Sequence, residues 1–250
     1  MNTRKQYTFF YALLVIWIEL ASLSMAQMPS RISFNDNDEK PKIKTTSKWQ
    51  FGAFVQGGFP PDYYESSAGN SIRSYPILHL YSAGFEAGRV MEDPVGRGVF
   101  RGKGEVLLEV MPFWLARFPA QNLRVDLIGP VNSITLHYNV TSENIFGSSV
   151  TPLLMRWNFC PKNTSRVIPW AQLGGGLLWT SHQFPLGYQG PTSVINFTPQ
   201  GGVGVNIFTR PKKSVELGVK VIHISNAGLG TRNPGINQSV HFSAGYNWWK

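Results

Sequence analysis

The sequence predicts an all-β chain, an eight-stranded antiparallel transmembrane β-barrel of the outer-membrane type. Three observations predict it. Apolar and polar residues alternate with a period of two through many segments. The polar face of each segment is rich in Gly, hydroxyl and amide side chains, which suits a narrow lumen. An export signal opens the chain. The 250 residues are 42% hydrophobic but only 15% charged, which excludes a disordered chain or a coiled coil. No apolar run reaches the roughly 18 residues of a spanning helix. Strands must therefore do any crossing.

The elements follow in order. Arg4 and Lys5 precede an apolar run from Phe9 to Ile18, and Ser24-Met25-Ala26 fits the small-x-small cleavage rule. Residues 1–26 are expected to be a cleaved signal peptide, 27–48 a polar lead-in, and 49–250 the barrel domain. Eight main strands are expected at 49–57, 78–91, 104–117, 150–159, 168–179, 196–208, 213–225 and 238–249. Aromatics stand near their ends, at Trp49, Trp179, Phe208, Trp248 and Trp249, as an interfacial girdle requires. With the N-terminus in the periplasm, the outer connections are 58–77, 118–149, 180–195 and 226–237, and the inner ones are shorter. A ninth segment, 134–140, becomes a ribbon inside the second outer loop. A barrel this small is filled by side chains. Its inward set, Glu86, Glu105, Glu109, Arg156, Glu216 and Lys220, is expected to form a paired lumen network.

The net charge of +9 points to an anionic partner. Export argues against nucleic acid. Much of the positive charge falls in the inner turns, as at Arg97, Arg101, Arg210 and Lys212, where it would meet anionic phospholipid headgroups. One cysteine, Cys160, excludes an internal disulfide and any Cys-rich metal site. His79, His137, His182 and His241 lack ligand spacing, so no metal or cofactor is expected.

One strand breaks the pattern. Its apolar stripe, Val215, Leu217, Val219 and Val221, continues as His223 and Ser225 at the outer end. An imidazole and a hydroxyl at i, i+2 on one face form the minimal base and nucleophile pair. The next loop, 226–237, is rich in Gly and Asn and can aim N–H groups or carboxamides at an oxyanion. Ordinary turn chemistry beside an interfacial His and Ser explains the same residues.

His223-Ile224-Ser225-Asn226-Ala227-Gly228-Leu229, followed by Asn233-Pro234-Gly235-Ile236, resembles the active-site signature of the lipid A 3-O-deacylases. Thr151-Pro152-Leu153-Leu154 and Asn196-Phe197-Thr198-Pro199-Gln200-Gly201 also resemble that family. The resemblance implies an eight-stranded outer-membrane barrel whose lipid-facing Ser–His–acid triad cleaves an ester-linked acyl chain from lipid A. It implies Ser225 as nucleophile and His223 as base. Asn226, Gly228 and Asn233 become oxyanion candidates, and Arg232 a candidate for a lipid A phosphate. The family's acid falls at Asn237, and no carboxylate side chain follows Ser225. An Asn can orient the imidazole but cannot stabilise its charge. Three readings stay open: Asn237 orients His223 in a slower enzyme, a carboxylate from another strand substitutes, or the protein is a weakened relative. Glu216 faces away from His223 and is a poor substitute.

The leading expectation is an outer-membrane ester hydrolase with lipopolysaccharide as substrate and membrane lipids as surroundings. The alternatives are a non-catalytic structural or lipopolysaccharide-binding barrel and a small transport barrel. Pairing of two copies is left open.

Overall fold

The computed structural model describes residues 48–61, 66–67, 70–71, 78–91, 94–128, 133–160, 166–184, 192–231, 233 and 236–250. The expected signal peptide, the lead-in up to residue 47 and Arg232 lie outside the described residues. The elements are β1 (Trp49–Phe59), β2 (Ser66–Ser67), β3 (Asn70–Ser71), β4 (His79–Val90), β5 (Gly102–Phe118), β6 (Gln121–Ile128), β7 (Ser133–Val140), β8 (Glu143–Phe159), β9 (Val167–Phe184), β10 (Ser193–Arg210), β11 (Lys213–Ile224) and β12 (Ile236–Trp249). A single 3-10 turn, Gly98–Phe100, lies between β4 and β5.

Eight strands close a barrel in the order β1-β12-β11-β10-β9-β8-β5-β4. Neighbours are antiparallel, and β1 meets β12 through pairs such as Phe54↔Gly245. Closure removes the sheet edges that hydrocarbon cannot solvate. Together with the outward apolar band, it makes the chain an outer-membrane barrel. The expected ninth segment is β7, which pairs with β6 as a separate ribbon.

The walls differ in height. β11, β12, β1 and β4 hold 12, 14, 11 and 12 residues. β5, β8, β9 and β10 hold 17, 17, 18 and 18. Twelve residues at about 3.3 Å each, tilted about 40°, rise roughly 30 Å, close to the apolar band of such barrels. Eighteen residues rise roughly 45 Å on the same arithmetic. One half of the barrel therefore just spans the bilayer, and the other stands above it.

This height corrects the expected loops. Residues 143–149 belong to β8, and β9 runs on to Phe184 rather than ending at 179. Above the membrane the pattern reverses. Trp114, Ala116, Phe118, Ile145, Leu178 and Phe184 point inward and are buried, while Arg117, Asn144 and Ser181 face out. Water lies outside there, so the apolar face turns to the lumen.

The lumen is layered and closed. At the outer end the inward apolar residues join Leu78, Leu80, Ile222, Ile224 and Ile236 in one cluster. At the inner end Val90, Ile168, Phe208 and Trp249 form a second. Between them lies the expected ion-pair network. Arg156 reaches Glu216 at 2.9 Å and Glu86 at 3.1 Å, and its Nε donates to Gln172 at 3.0 Å. Its guanidinium also covers the Trp170 ring at 4.6 Å. Lys220 pairs with Glu109, and Asn158 donates to Glu105 at 2.9 Å. Buried charges persist only when paired in this way.

Candidate functional site

β11 carries the two chemistries of the wall on its two faces. Ser214, Glu216, Lys220, Ile222 and Ile224 point inward and are buried. Val215, Leu217, Val219 and Val221 point outward, and His223 and Ser225 continue that face, both half-buried. The structure thus brings the expected pair onto one lipid-facing surface. It lies at the outer end of the short half of the barrel, where the wall meets the limit of the hydrocarbon.

The ladder thins on both sides of the pair. Toward β10, Ser225 exchanges hydrogen bonds with Phe197, at 3.1 Å from its N–H and 2.7 Å to its carbonyl. The register then places Pro199 opposite His223, between Phe197↔Ser225 and Gln200↔Ile222. Proline has no N–H, so a rung of the ladder is missing there. Ser225 consequently forms an isolated bridge beyond the end of β11.

Toward β12 the register slips. Ile222 pairs with Ser239, but Ile224 pairs with Ile236. Ile236 and Ser239 are three apart, yet both are buried on the lumen side. Strict alternation forbids this. A β-bulge takes up the extra residue and sets backbone positions 237 and 238 opposite His223. Asn237 is therefore beside His223 in the backbone, while its side chain lies outside the described residues. From the lumen, Ser239 Oγ donates to the Ile222 carbonyl at 2.9 Å. His241 Nε2 lies 3.0 Å from the same hydroxyl. The hydroxyl's one proton is committed to Ile222, so His241 donates to Ser239. His241 and Ser239, both fully buried, pin the bulge from behind. Sequence reading assigned His241 no part in the site. The phase break between Ile236 and Ser239 is the signal that could have found it.

Past Ser225 the chain reverses in a tight turn. Leu229 N–H bonds the Asn226 carbonyl at 2.9 Å. Ala227 and Gly228 hold φ of 49° and 85°. Two successive left-handed residues make a type I′ turn, the kind whose twist matches a hairpin. Gly228 N–H bonds Asn226 Oδ1 at 2.9 Å, and Asn226 N–H bonds Asn233 Oδ1 at 3.1 Å. The expected oxyanion residues Asn226, Gly228 and Asn233 do converge. Here their groups bond one another and build the turn that holds Ser225.

The described wall carboxylates stand elsewhere than on the outward face that carries His223. Glu86, Glu105, Glu109 and Glu216 point into the lumen. Glu143 starts β8, which β9 and β10 separate from β11. The outward faces of β10, β11 and β12 hold no carboxylate among the described residues. Nor do the described residues form a cluster of His, Cys, Asp or Glu able to hold a metal ion.

Residues 129–247 match a family model described as lipid A 3-O-deacylase (PagL). That span includes the whole signature and the bulge. No curated protein matches the chain. Among solved structures, the outer membrane enzyme PagL is 15% identical, covering 80% of this chain and 98% of its own, with a TM-score of 0.38. The outer membrane protein OprG of Pseudomonas aeruginosa is 10% identical, with 82% and 96% covered and a TM-score of 0.41. E. coli Outer Membrane Protein W is 14% identical, with 81% and 98% covered and a TM-score of 0.32.

Proposed function

We propose that this outer-membrane barrel, matched to the lipid A 3-O-deacylase family over residues 129–247, hydrolyses an ester-linked acyl chain of lipid A. The observation that carries the reading is the placement of His223 and Ser225. They share one outward face at the rim of the short wall, where a lipid can reach them sideways from the outer leaflet.

His223 takes the Ser225 proton as the hydroxyl oxygen attacks the acyl carbonyl. The tetrahedral intermediate collapses as His223 returns that proton to the departing sugar oxygen. The acyl chain is left as an ester on Ser225. Water, deprotonated by His223, then attacks this ester and releases the fatty acid. Gly228 N–H serves as oxyanion donor by exchanging Asn226 Oδ1 for the developing charge. Arg232 is assigned to a lipid A phosphate.

Asn237 supplies what an amide can. The bulge holds its backbone beside His223, and an Asn Oδ1 can accept from the imidazole and fix its tautomer. It cannot balance the imidazolium charge, a loss worth up to about 10⁴ in kcat for a serine triad. The enzyme is accordingly a slow one. A second reading, a non-catalytic barrel that binds lipopolysaccharide, draws on the same missing carboxylate.

An activity-based probe separates the two. A fluorophosphonate should label the wild-type barrel at Ser225, with labelling lost in Ser225→Ala and reduced at least tenfold in His223→Ala. Equal labelling of wild type and His223→Ala would leave the pair without its chemistry.

A further inference from the structure

We infer that the lumen binds one ordered water molecule behind the β11–β12 bulge, and that this water fixes the tautomer of His241. The inference rests on the lumen alone and stands apart from the hydrolase reading.

A small cavity interrupts the packing of the lumen. The outer apolar cluster lines it through Trp114, Leu178, Ile222 and Ile224. Ser149 of β8, Thr198 and Gln200 of β10, and His241 of β12 line it as well. All four are buried. Each carries one polar atom that bonds no protein group: Ser149 Oγ, Thr198 Oγ1, Gln200 Oε1 and His241 Nδ1. Buried polar atoms are nearly always bonded, to protein or to ordered water.

The hydrogen roles follow from the bonds already made. Gln200 Nε2 donates to Glu109 Oε1 and to Thr151 Oγ1, both at 3.0 Å, which commits both amide hydrogens. Turning the amide over would set its oxygen against the Glu109 carboxylate. Gln200 Oε1 is therefore an acceptor. The Nε2 proton of His241 goes to Ser239, so in the neutral ring Nδ1 is a lone pair. The hydroxyls of Ser149 and Thr198 can each donate. Two acceptors and two donors are the complement of one water, which donates twice and accepts twice.

The same set excludes other occupants. The two lone pairs would repel an anion. A cation would meet the field of Lys220, whose partner Glu109 also holds Gln200. The space admits about one water and no organic molecule. The bound water also has a consequence for the wall. By donating to Nδ1 it keeps the ring proton on Nε2. That proton holds the Ser239 hydroxyl toward the Ile222 carbonyl, which secures the bulge from the lumen.

Two measurements on the full barrel test this. A crystal structure of the wild type should show a water within about 3.2 Å of all four atoms. Nitrogen NMR of isotope-labelled His241 should show the Nε2–H tautomer, with Nδ1 accepting a hydrogen bond. In Thr198→Ile the added methyl takes the water's place. With circular dichroism reporting an intact barrel, the Nδ1 signal should then move toward that of an unbonded ring nitrogen. The double variant Ser149→Ala/Thr198→Val removes both donors without adding volume, and should move the signal the same way. A wild-type site without water density, a proton on Nδ1, or an Nδ1 signal that these substitutions leave unchanged would overturn the inference.

Discussion

Ser225 lies where two ladders are interrupted, one by Pro199 and one by the bulge at 237–238. A hydroxyl there is ordered by the backbone bonds of Ser225 to Phe197 and stays on the outward face. The pair itself was legible in the sequence, because alternation alone assigns His223 and Ser225 to the apolar stripe. The part played by Asn226 and Asn233 was not. Whether a carboxamide faces a substrate or caps a turn depends on backbone angles that composition does not encode. Gly228 gives the residue-scale test. Its φ of 85° is open to glycine but costs an L side chain about 1–2 kcal/mol. Gly228→Ala should lower the unfolding free energy by that amount, read by urea titration in detergent, and should lower esterase activity at least tenfold. Full activity with unchanged stability would mean the turn is not the frame of the site.

At the scale of elements, the β11–β12 bulge sets position 237 against His223, and Ser239 with His241 hold it from the lumen. Ser239→Ala removes a buried hydrogen bond worth about 1 kcal/mol. On the proposed reading it should lower kcat several-fold at unchanged KM, and Ser239→Thr, which keeps the hydroxyl, should restore it. Loss of stability with kcat unaltered would reduce the bulge to a structural detail. Pro112 and Pro152 mark comparable register breaks in β5 and β8. Those were readable as proline in a strand, whereas the 237–238 bulge contains neither Gly nor Pro. The expected strand ends fell short on the tall side for a related reason. Where β8 and β9 leave the membrane, the apolar face changes sides, and a search for lipid-facing stripes stops.

For the whole molecule, the difference in wall height gives the proposed site its access. The short half ends near the hydrocarbon boundary with His223 and Ser225 at its rim, and the tall half rises beyond it. Side chains fill both ends of the lumen. Its charged middle lies between two apolar clusters, so planar-bilayer recordings should show no stepwise conductance. Steady channel openings would contradict the plugged lumen. The Arg156 pairs are buried in the middle of the lumen. Arg156→Ala strands two buried carboxylates and should cost about 3–5 kcal/mol, seen as an earlier unfolding midpoint. The charge pattern was legible as a set of inward residues, but the plugs were not, since apolar residues at strand ends read equally well as girdle. The central claim is tested by incubating purified lipid A with the barrel in detergent and following it by mass spectrometry. Wild type should slowly release one ester-linked acyl chain, Ser225→Ala none, and Asn237→Glu the same chain at least tenfold faster. No product from wild type where Asn237→Glu is active, or product that survives Ser225→Ala, would contradict it.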